Sequence, residues 1–448
     1  MKKHSTIVGL TALAVSLAIS SSASGSDWLT LQGTENAGSA SPVKVWGFVQ
    51  AQYQKDTSDP NAGGAFVPAK LIGPNLDSQS AFNINRARIG VRGVAMPLDS
   101  NINYFLLVEL GNNGITAVGD SFAKLTDASV TFNHFKGVKI RTGLFKTPGA
   151  EEALQAIHVF DYINFTSVTN QMLLERFPNR TYTPNTGPQV IPSENGLNGF
   201  DRGVGAFRDV GVQLFNTFQL DDGWEFSYAA MVGNGNGLNF SDNDDNKELY
   251  LYLAGEKVFA GQGARRQGLK LFAWSQSGKR TADLTNDDAF NPGEYDRDRM
   301  GIGAKYSRDG WRASAEYMVG EGMIFQGPHN QSWGIGPGQG NPNNPGNGAY
   351  AEAKGYYIEG GYRFQGTPWE LDIRYDSYVR LDGNRFETSF DKTTLGAQYF
   401  FNPRVRVALN YEVTDANAPN FGAGAGPNAN LDGIDSRIAL QVTAIYSQ

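Results

Sequence analysis

Apolar and polar residues alternate with a period of two in successive segments of about ten residues, from Val43 to the end of the chain. Segment 369–376, for example, places aromatic and aliphatic residues on one face and Glu370, Asp372, Arg374 and Asp376 on the other. A period of two is that of a β-strand with one apolar face and one polar face. About sixteen such segments occur, a common size for a barrel. The pattern therefore predicts an all-β protein of about sixteen antiparallel strands.

The connections between these segments alternate in length along the whole chain. The short connections are 96–100, 134–137, 221–223, 307–310, 365–368 and 402–404. The long ones are 54–80, 111–123, 146–207, 234–247, 276–297, 322–353, 381–390 and 415–434. Bacterial outer-membrane barrels have this asymmetry, with short periplasmic turns and long outer loops. The chain is therefore predicted to form a transmembrane antiparallel β-barrel.

The two faces of the predicted strands also fit a barrel in lipid. Aromatic residues concentrate near strand ends on the apolar face, at Tyr53, Tyr104, Trp224, Trp311, Tyr362, Trp369, Tyr399 and Tyr446. Such positions form the aromatic girdles of membrane barrels. The polar faces carry too many charges for a dry core, because each unpaired buried ion costs several kcal/mol. We expect the apolar faces to contact lipid and the polar faces to line a wet lumen.

The N-terminus has the pattern of a Sec-type signal peptide. Lys2 and Lys3 precede an apolar run from Ile7 to Ile19, and small residues follow, with cleavage predicted near Ser24. We therefore divide the chain into a signal peptide (1–24), a short periplasmic segment (25–42) and a barrel domain (43–448). These features predict a location in the outer membrane of a Gram-negative bacterium. A soluble secreted β protein such as an adhesin remains the alternative for a chain with such a signal.

Composition narrows the range of functions. The 448 residues include 54 glycines and no cysteine, which excludes disulfides, iron–sulfur clusters and thiolate metal sites. The formal charge is −7, or −9 after removal of two signal lysines (36 minus 45), so a nucleic-acid partner is not expected. Neither a cofactor nor a metal is predicted. The acidic run 242–246 lacks the EF-hand spacing and is interpreted as a solvated loop.

Four stretches resemble the phosphate-selective porin O and P family in their order and spacing. They are 86–93 (RARIGVRG), 141–148 (RTGLFKTP), Glu175–Arg176 and 208–212 (RDVGV). The resemblance implies a homotrimer of sixteen-stranded barrels, a third loop folded into the lumen as a constriction, and passive diffusion that often favours anions. Two features depart from the family: the chain ends on Ser447–Gln448 without a final aromatic residue, and its lumen carries a mixed set of charges.

A basic cluster on the early strands is the candidate site for anions. Arg86, Arg88 and Arg92 share one strand face, and Lys139 and Arg141 share a face two strands later. Lys146 stands where the chain enters the implied constriction loop. Inward cations lower the barrier for an anion in a narrow wet pore. The sequence therefore predicts a porin for small hydrophilic solutes with a preference for anions such as phosphate.

The same cations could instead brace the barrel wall by pairing with luminal acids. The candidate acids are Glu109, Asp127, Glu316, Glu359, Glu370, Asp372 and Glu412, and the cations of later strands are Arg299, Lys305, Arg312, Arg374, Arg404 and Arg406. For any single residue, bracing and conduction both stay open at this point.

Two further functions are alternatives to the porin. An enzyme is not expected, because the four histidines (His4, His134, His158 and His329) lie in the signal, a turn and loops, with no recognisable nucleophile motif. The alternative from another class is a structural barrel that sheathes a redox partner in an electron-conducting outer-membrane complex. Without haem or cysteine motifs, such a barrel would not carry electrons itself.

Overall fold

The computed structural model describes the larger part of the chain. The described residues are 28–31, 34, 41–59, 80–113, 115–116, 123–174, 176–178, 200–203, 207–238, 242, 244–261, 263, 265–282, 293–325, 335–336, 352–383, 387–425 and 427–447. The predicted signal peptide, residues 1–24, lies outside them, as do Glu175 of the family-like stretches and His329.

Within the described residues, sixteen long strands close into one antiparallel barrel. The barrel strands are β1 (Lys44–Asp56), β2 (Ser80–Ala95), β3 (Asp99–Glu109), β4 (Lys124–Phe135), β5 (Val138–Lys146), β8 (Arg208–Gln219), β9 (Trp224–Gly233), β10 (Glu248–Ala260), β11 (Gln267–Ala282), β12 (Gly293–Arg308), β13 (Trp311–Glu321), β16 (Glu352–Arg363), β17 (Trp369–Arg380), β18 (Thr388–Asn402), β19 (Val405–Asn417) and β20 (Ser436–Ser447). Strand β1 pairs with β20 from Trp46 opposite Ser447 to Asp56 opposite Arg437, which closes the sheet. The predicted all-β barrel fold is confirmed.

The remaining elements are short and lie in the connections. Two small strand pairs join β6 (Arg176–Pro178) to β7 (Phe200–Gly203) and β14 (Ile324–Phe325) to β15 (Ile335–Gly336). The helical turns are α1 (Trp28–Leu31), α2 (Glu151–Leu154), Ile157–Val159, Thr169–Leu173, Asp221–Gly223 and α3 (Asn428–Leu431). Over the part of the chain that the structure describes, none of the helices has the length and apolarity to cross a bilayer.

The barrel has an apolar outer face and a polar inner face. On β17, the side chain of Ile373 is 55% exposed on the outside, whereas the neighbouring Arg374 is fully buried inside. Aromatic rings pair on the outside at the ends of strands, as in Trp311 with Tyr362, whose ring centroids lie 4.5 Å apart. This arrangement matches the girdle expected of a barrel in lipid.

The short turns mark the periplasmic end of the barrel. They fall where the alternation of connections predicts them, and one more turn, at 261–266, joins β10 to β11. This turn matters for the lumen, because its Arg265 reaches inward to the third loop. Arg404 also lies in a short turn and is exposed, so its predicted place on a luminal strand face is wrong. Its backbone N–H donates to Asn402 instead.

Candidate functional site

The described part of the third loop, residues 147–174, lies inside the barrel. Its side chains and backbone bond to inward-facing residues of distant strands, as in Asn164 Nδ2 to Glu412 Oε1 (2.7 Å) and Ser167 N to Asp376 Oδ1 (2.7 Å). Asn164 also bonds to Gln54 of β1. The loop begins at the end of β5, and β17 lies on the opposite side of the closed barrel, so the loop crosses the lumen to make these contacts.

Glu151 anchors the start of this loop to the wall. Its carboxylate pairs with Lys270 of β11 (2.7 Å) and Lys305 of β12 (3.3 Å), and its backbone N–H donates to Glu316 of β13 (3.1 Å). Burial alone would raise the pKa of Glu151, but the two lysine charges more than offset it and lower the pKa to about 2. The ionised carboxylate is therefore part of the docked loop.

We expect this anchor to weaken in acid. Because the docked carboxylate has a pKa of about 2 instead of the usual 4.5, its contribution of ~3 kcal/mol is fully present above pH 4.5 and is lost as the pH falls towards 2. Single-channel current noise should therefore be constant from pH 7 to 5 and rise below pH 4. The Glu151→Gln variant should be noisier at pH 7 and should lose the part of the acid response that Glu151 causes.

A matched control for this experiment is Glu256→Gln. Glu256 pairs with Arg266 (2.5 Å), and both residues belong to the barrel wall and its periplasmic turn, not to the third loop. This variant should keep the noise and the acid response of the unmodified channel. Equal noise in the Glu151→Gln and unmodified channels at pH 7 would contradict the anchoring role.

A second anchor holds the loop near the periplasmic end. Asp161 pairs with Arg312 of β13 (3.1 Å) and with Arg265 of the 261–266 turn, and both arginines also bind Glu370. Burial would raise the pKa of Asp161, but Arg312 and Arg265 hold it well below its usual range. The backbone carbonyl of Phe160 accepts a further hydrogen bond from Arg406. Loop and wall therefore form one ionic network at this end.

His158 lies beside the second anchor and is no pH switch near neutrality. Its ring packs against Phe48, with ring centroids 5.0 Å apart, and against Trp46. Burial, with the nearby charge of Arg406, lowers the pKa of His158 to about 3. The imidazole is therefore neutral at physiological pH and contributes packing to the loop.

The three predicted arginines of β2 all face the lumen at different depths. Arg86 Nη1 donates to Gln50 (3.0 Å), and Arg88 Nε pairs with Glu109 (2.7 Å). Arg92 lies nearest the periplasmic turn, with its guanidinium 6.0 Å from the centre of the Phe105 ring. Gly90 interrupts the row of arginines between Arg88 and Arg92. A side chain does not fit at this position, because a Cβ there would lie 2.6 Å from Trp46 Nε1.

Lys139 and Arg141 share one face of β5, and Arg141 meets the N-terminal segment. The Arg141 guanidinium lies 4.4 Å from the centre of the Phe215 ring and donates to Thr34 Oγ1 (3.0 Å). Helix α1 packs against β8, and its Leu29 joins the apolar cluster that contains Phe215. Residues 28–31 and 34 of the segment 25–42 therefore lie against the inner wall. Leu29 contributes an apolar contact there, and the Thr34 hydroxyl accepts the hydrogen bond from Arg141.

Lys146 occupies the entrance of the third loop, as predicted. Its ammonium donates to the carbonyl oxygens of Ala153 (2.8 Å) and Gln155 (2.7 Å). The lysine therefore holds the loop backbone and at the same time places its amino group at the lumen. Sequence reasoning identified the residue but not this contact, which depends on the fold of the loop.

One cavity next to the third loop is lined by Arg86, Arg88, Lys146 and Arg208 of β8. Arg208 pairs with Asp127 (3.0 Å), as Arg88 does with Glu109. Glu152, which also lines the cavity, pairs with Arg374 on its far side (3.2 Å). Among the described residues, neither Arg86 nor Lys146 pairs with a carboxylate. The cavity thus carries excess positive charge.

The later strands show mainly bracing. Arg312 binds Glu370 (2.9 Å) and Asp372, and Arg299 donates to backbone carbonyls that include that of Met323. Glu316 has no lysine or arginine partner among the described contacts and instead accepts from Trp274, Tyr357 and the loop backbone. In the outer loop at 242–246, Asp242 binds Lys247 (2.7 Å), and Asn243 lies outside the described residues.

Comparison with known proteins agrees with this architecture. The model of the family Phosphate-selective porin O and P matches residues 228–418, and no curated protein matches the chain. OmpT of Vibrio cholerae in its trimer form is similar in structure, with 11% identity and a TM-score of 0.51 over 91% of this chain and 99% of OmpT. OmpF of Salmonella typhi, solved with daunomycin, has 14% identity and a TM-score of 0.52 over 90% and 97%. At such identities the likeness concerns the fold alone.

The closed barrel and the family match together define an outer-membrane channel of the porin class. The chain resides in the outer membrane of a Gram-negative bacterium, and its resemblance to the phosphate-selective porin O and P family is confirmed by the match over residues 228–418. That match lies C-terminal to the stretches 86–93, 141–148 and 208–212. The resemblance at those stretches therefore stays a prediction.

Proposed function

We propose that this channel lets small anions diffuse passively through the outer membrane along the wall formed by β2, β5 and β8. The observation that carries the proposal is the cavity lined by Arg86, Arg88, Lys146 and Arg208, in which two of the four cations have no carboxylate partner among the described residues. Rings and clusters of fixed charge set the preference of a pore for one sign of ion.

Ion pairs on the other side of the lumen support the same proposal. Arg312 of β13 pairs with Asp372 of β17, and Arg374 of β17 pairs with Glu152 of the third loop. Such pairs leave little net field for a passing ion. The preference therefore depends on the unmatched cations of the opposite wall, although the whole chain is acidic.

The reversal potential of the open channel tests this proposal. In a planar bilayer with a KCl gradient, the potential should have the sign of chloride preference, and the preference should shrink as the salt concentration rises because salt screens the fixed charges. A potential of the opposite sign at low salt would refute anion preference and leave a cation-preferring porin.

The remaining parts of the proposal concern processing, assembly and lipid. We infer that residues 1–24 are removed as a signal peptide, that 43–448 form the barrel domain and that lipid contacts its apolar outer face. We also infer a homotrimer, supported by the trimer form of the similarly folded OmpT. The third loop across the lumen favours a channel for small solutes over a sheath for a redox protein, since a second polypeptide would need that space. The family match likewise favours a channel over an enzyme.

A further inference from the structure

The cavity at the unmatched cations has two chemically different halves. The strands supply Arg86, Arg88, Lys146 and Arg208 on one side. The loops supply the apolar residues Ile115, Ile157, Phe165 and Phe207, together with the polar residues Asn113, Thr116, Glu152 and Gln155. A site for a fully hydrated inorganic ion has no need of an apolar half.

The apolar half is a packed surface. The rings of Phe165 and Phe207 meet edge to face, with centroids 5.3 Å apart and planes at 79°. The carbonyl of Phe207 accepts a hydrogen bond from Thr147 N (2.9 Å), which fixes the end of the third loop beside its start. Phe165 and Ile115 remain partly exposed towards the lumen. These side chains therefore present a defined apolar wall opposite the cations.

From this geometry we propose that the cavity recognises small organic anions with an apolar body, such as medium-length carboxylates, in preference to inorganic anions. The inference rests on the proposed anion channel and names its class of solute. The carboxylate would lie at Arg86 and Lys146, whose charges have no carboxylate partner among the described residues, and the hydrocarbon would cover Phe165 and Ile115. Inorganic phosphate loses hydration at the apolar wall and gains no contact there.

The dependence of the blocking concentration on the chain length of the carboxylate tests this inference. Each methylene group moved from water onto an apolar surface should tighten binding up to roughly fourfold. In single-channel recordings with chloride as the carrier, acetate, butyrate and hexanoate should block the current at successively lower concentrations. Phosphate should block less effectively than hexanoate. Equal block by the three carboxylates, or strongest block by phosphate, would overturn the inference.

Three variants assign the effect to the two halves of the cavity. Ile115→Thr and, separately, Phe165→Leu should reduce the ratio between the acetate and hexanoate blocking concentrations, because they remove apolar contact. Arg86→Gln should weaken the block by all three carboxylates by a similar factor. The control Leu98→Ser, in an exposed periplasmic turn, should change neither the ratio of the acetate and hexanoate blocking concentrations nor the concentrations themselves. Unchanged chain-length ratios in both apolar variants would also overturn the inference.

The same recordings keep this inference separate from the proposed function. A reversal potential that favours cations contradicts the anion channel itself. An anion-selective channel without dependence on chain length contradicts only the recognition of organic anions. Partition of hexanoate into the bilayer would act on every variant alike, so the comparison between variants excludes it.

Discussion

A channel in which residues 157–172 of the third loop are replaced by a short Gly/Ser linker should conduct several-fold more current per pore than the intact protein. These residues reach from Phe48 of β1 to Arg299 of β12 and therefore obstruct the lumen over much of its width. The narrowest part of a pore limits its conductance, so removing an obstruction has a larger effect than any change of one wall residue. Planar-bilayer recordings in symmetrical KCl measure the effect directly.

The barrel should survive this change, because its backbone hydrogen bonds run between neighbouring strands and do not involve the loop. The replacement does leave Arg406 and Lys392 without the loop carbonyls of Phe160 and Phe165. In the widened lumen these charges become hydrated, which limits the loss of stability. Retention of the folded, heat-modifiable band in gel electrophoresis should verify the barrel before the recordings are compared.

Removal of residues 337–350, from the connection between β13 and β16, is the control for shortening a long loop. This deletion retains β14 and β15, which pair with each other, and it should leave the conductance within the scatter of the unmodified channel. If the shortened third loop gave unchanged conductance in a folded barrel, the limiting constriction would lie elsewhere. The N-terminal segment at Arg141 and Phe215 would then be the next obstruction to remove.

The barrel could be predicted from the sequence because its signal is local. Alternation places Ile373 outside and Arg374 inside from a few neighbouring residues, and the lengths of the connections give the two ends. The same logic assigned Arg86 and Arg88 to the lumen correctly. It failed for Arg404, because a turn begins where the alternation still continues.

The contacts of the site could not be predicted, because they join residues far apart in sequence. Asn164 meets Glu412 and Asp161 meets Arg265 only after the barrel closes and the third loop folds into it. No periodicity encodes such pairs. The placement of Leu29 against the inner wall was missed for a related reason, since a four-residue helix gives no reliable pattern. In the sequence Arg208 belongs only to the family-like stretch 208–212, and it reaches the site because β8 pairs with β5.

Charge reversal at Arg86 should reduce the permeability ratio of chloride to potassium by at least about tenfold at low salt. A unit charge ~4 Å from a permeating ion contributes ~1 kcal/mol in water, and Arg86→Glu changes the sign of that contribution. Arg86 has one described hydrogen bond, to Gln50, so its replacement disturbs little else. Reversal potentials in a KCl gradient measure the ratio. Lys279→Glu, an equal change of charge on an exposed outer hairpin, should leave it unaltered.

Variants of Lys146 distinguish its effect on ion selectivity from its effect on the position of the third loop. Lys146→Glu should reduce the ratio at least as far as Arg86→Glu, but it also removes the hydrogen bonds to Ala153 and Gln155 and therefore should raise current noise. Lys146→Met keeps the length of the side chain without its charge, and comparison with Arg86→Met isolates the loop contact. If both methionine variants lowered the chloride-to-potassium permeability ratio and only Lys146→Met raised the current noise, the result would show that Lys146 supplies a charge to the pore and also holds the third loop in place. If neither variant changed the ratio, the two cations would serve only the wall, and the selectivity of the pore would have to arise from Arg92 or Arg141 nearer the periplasm.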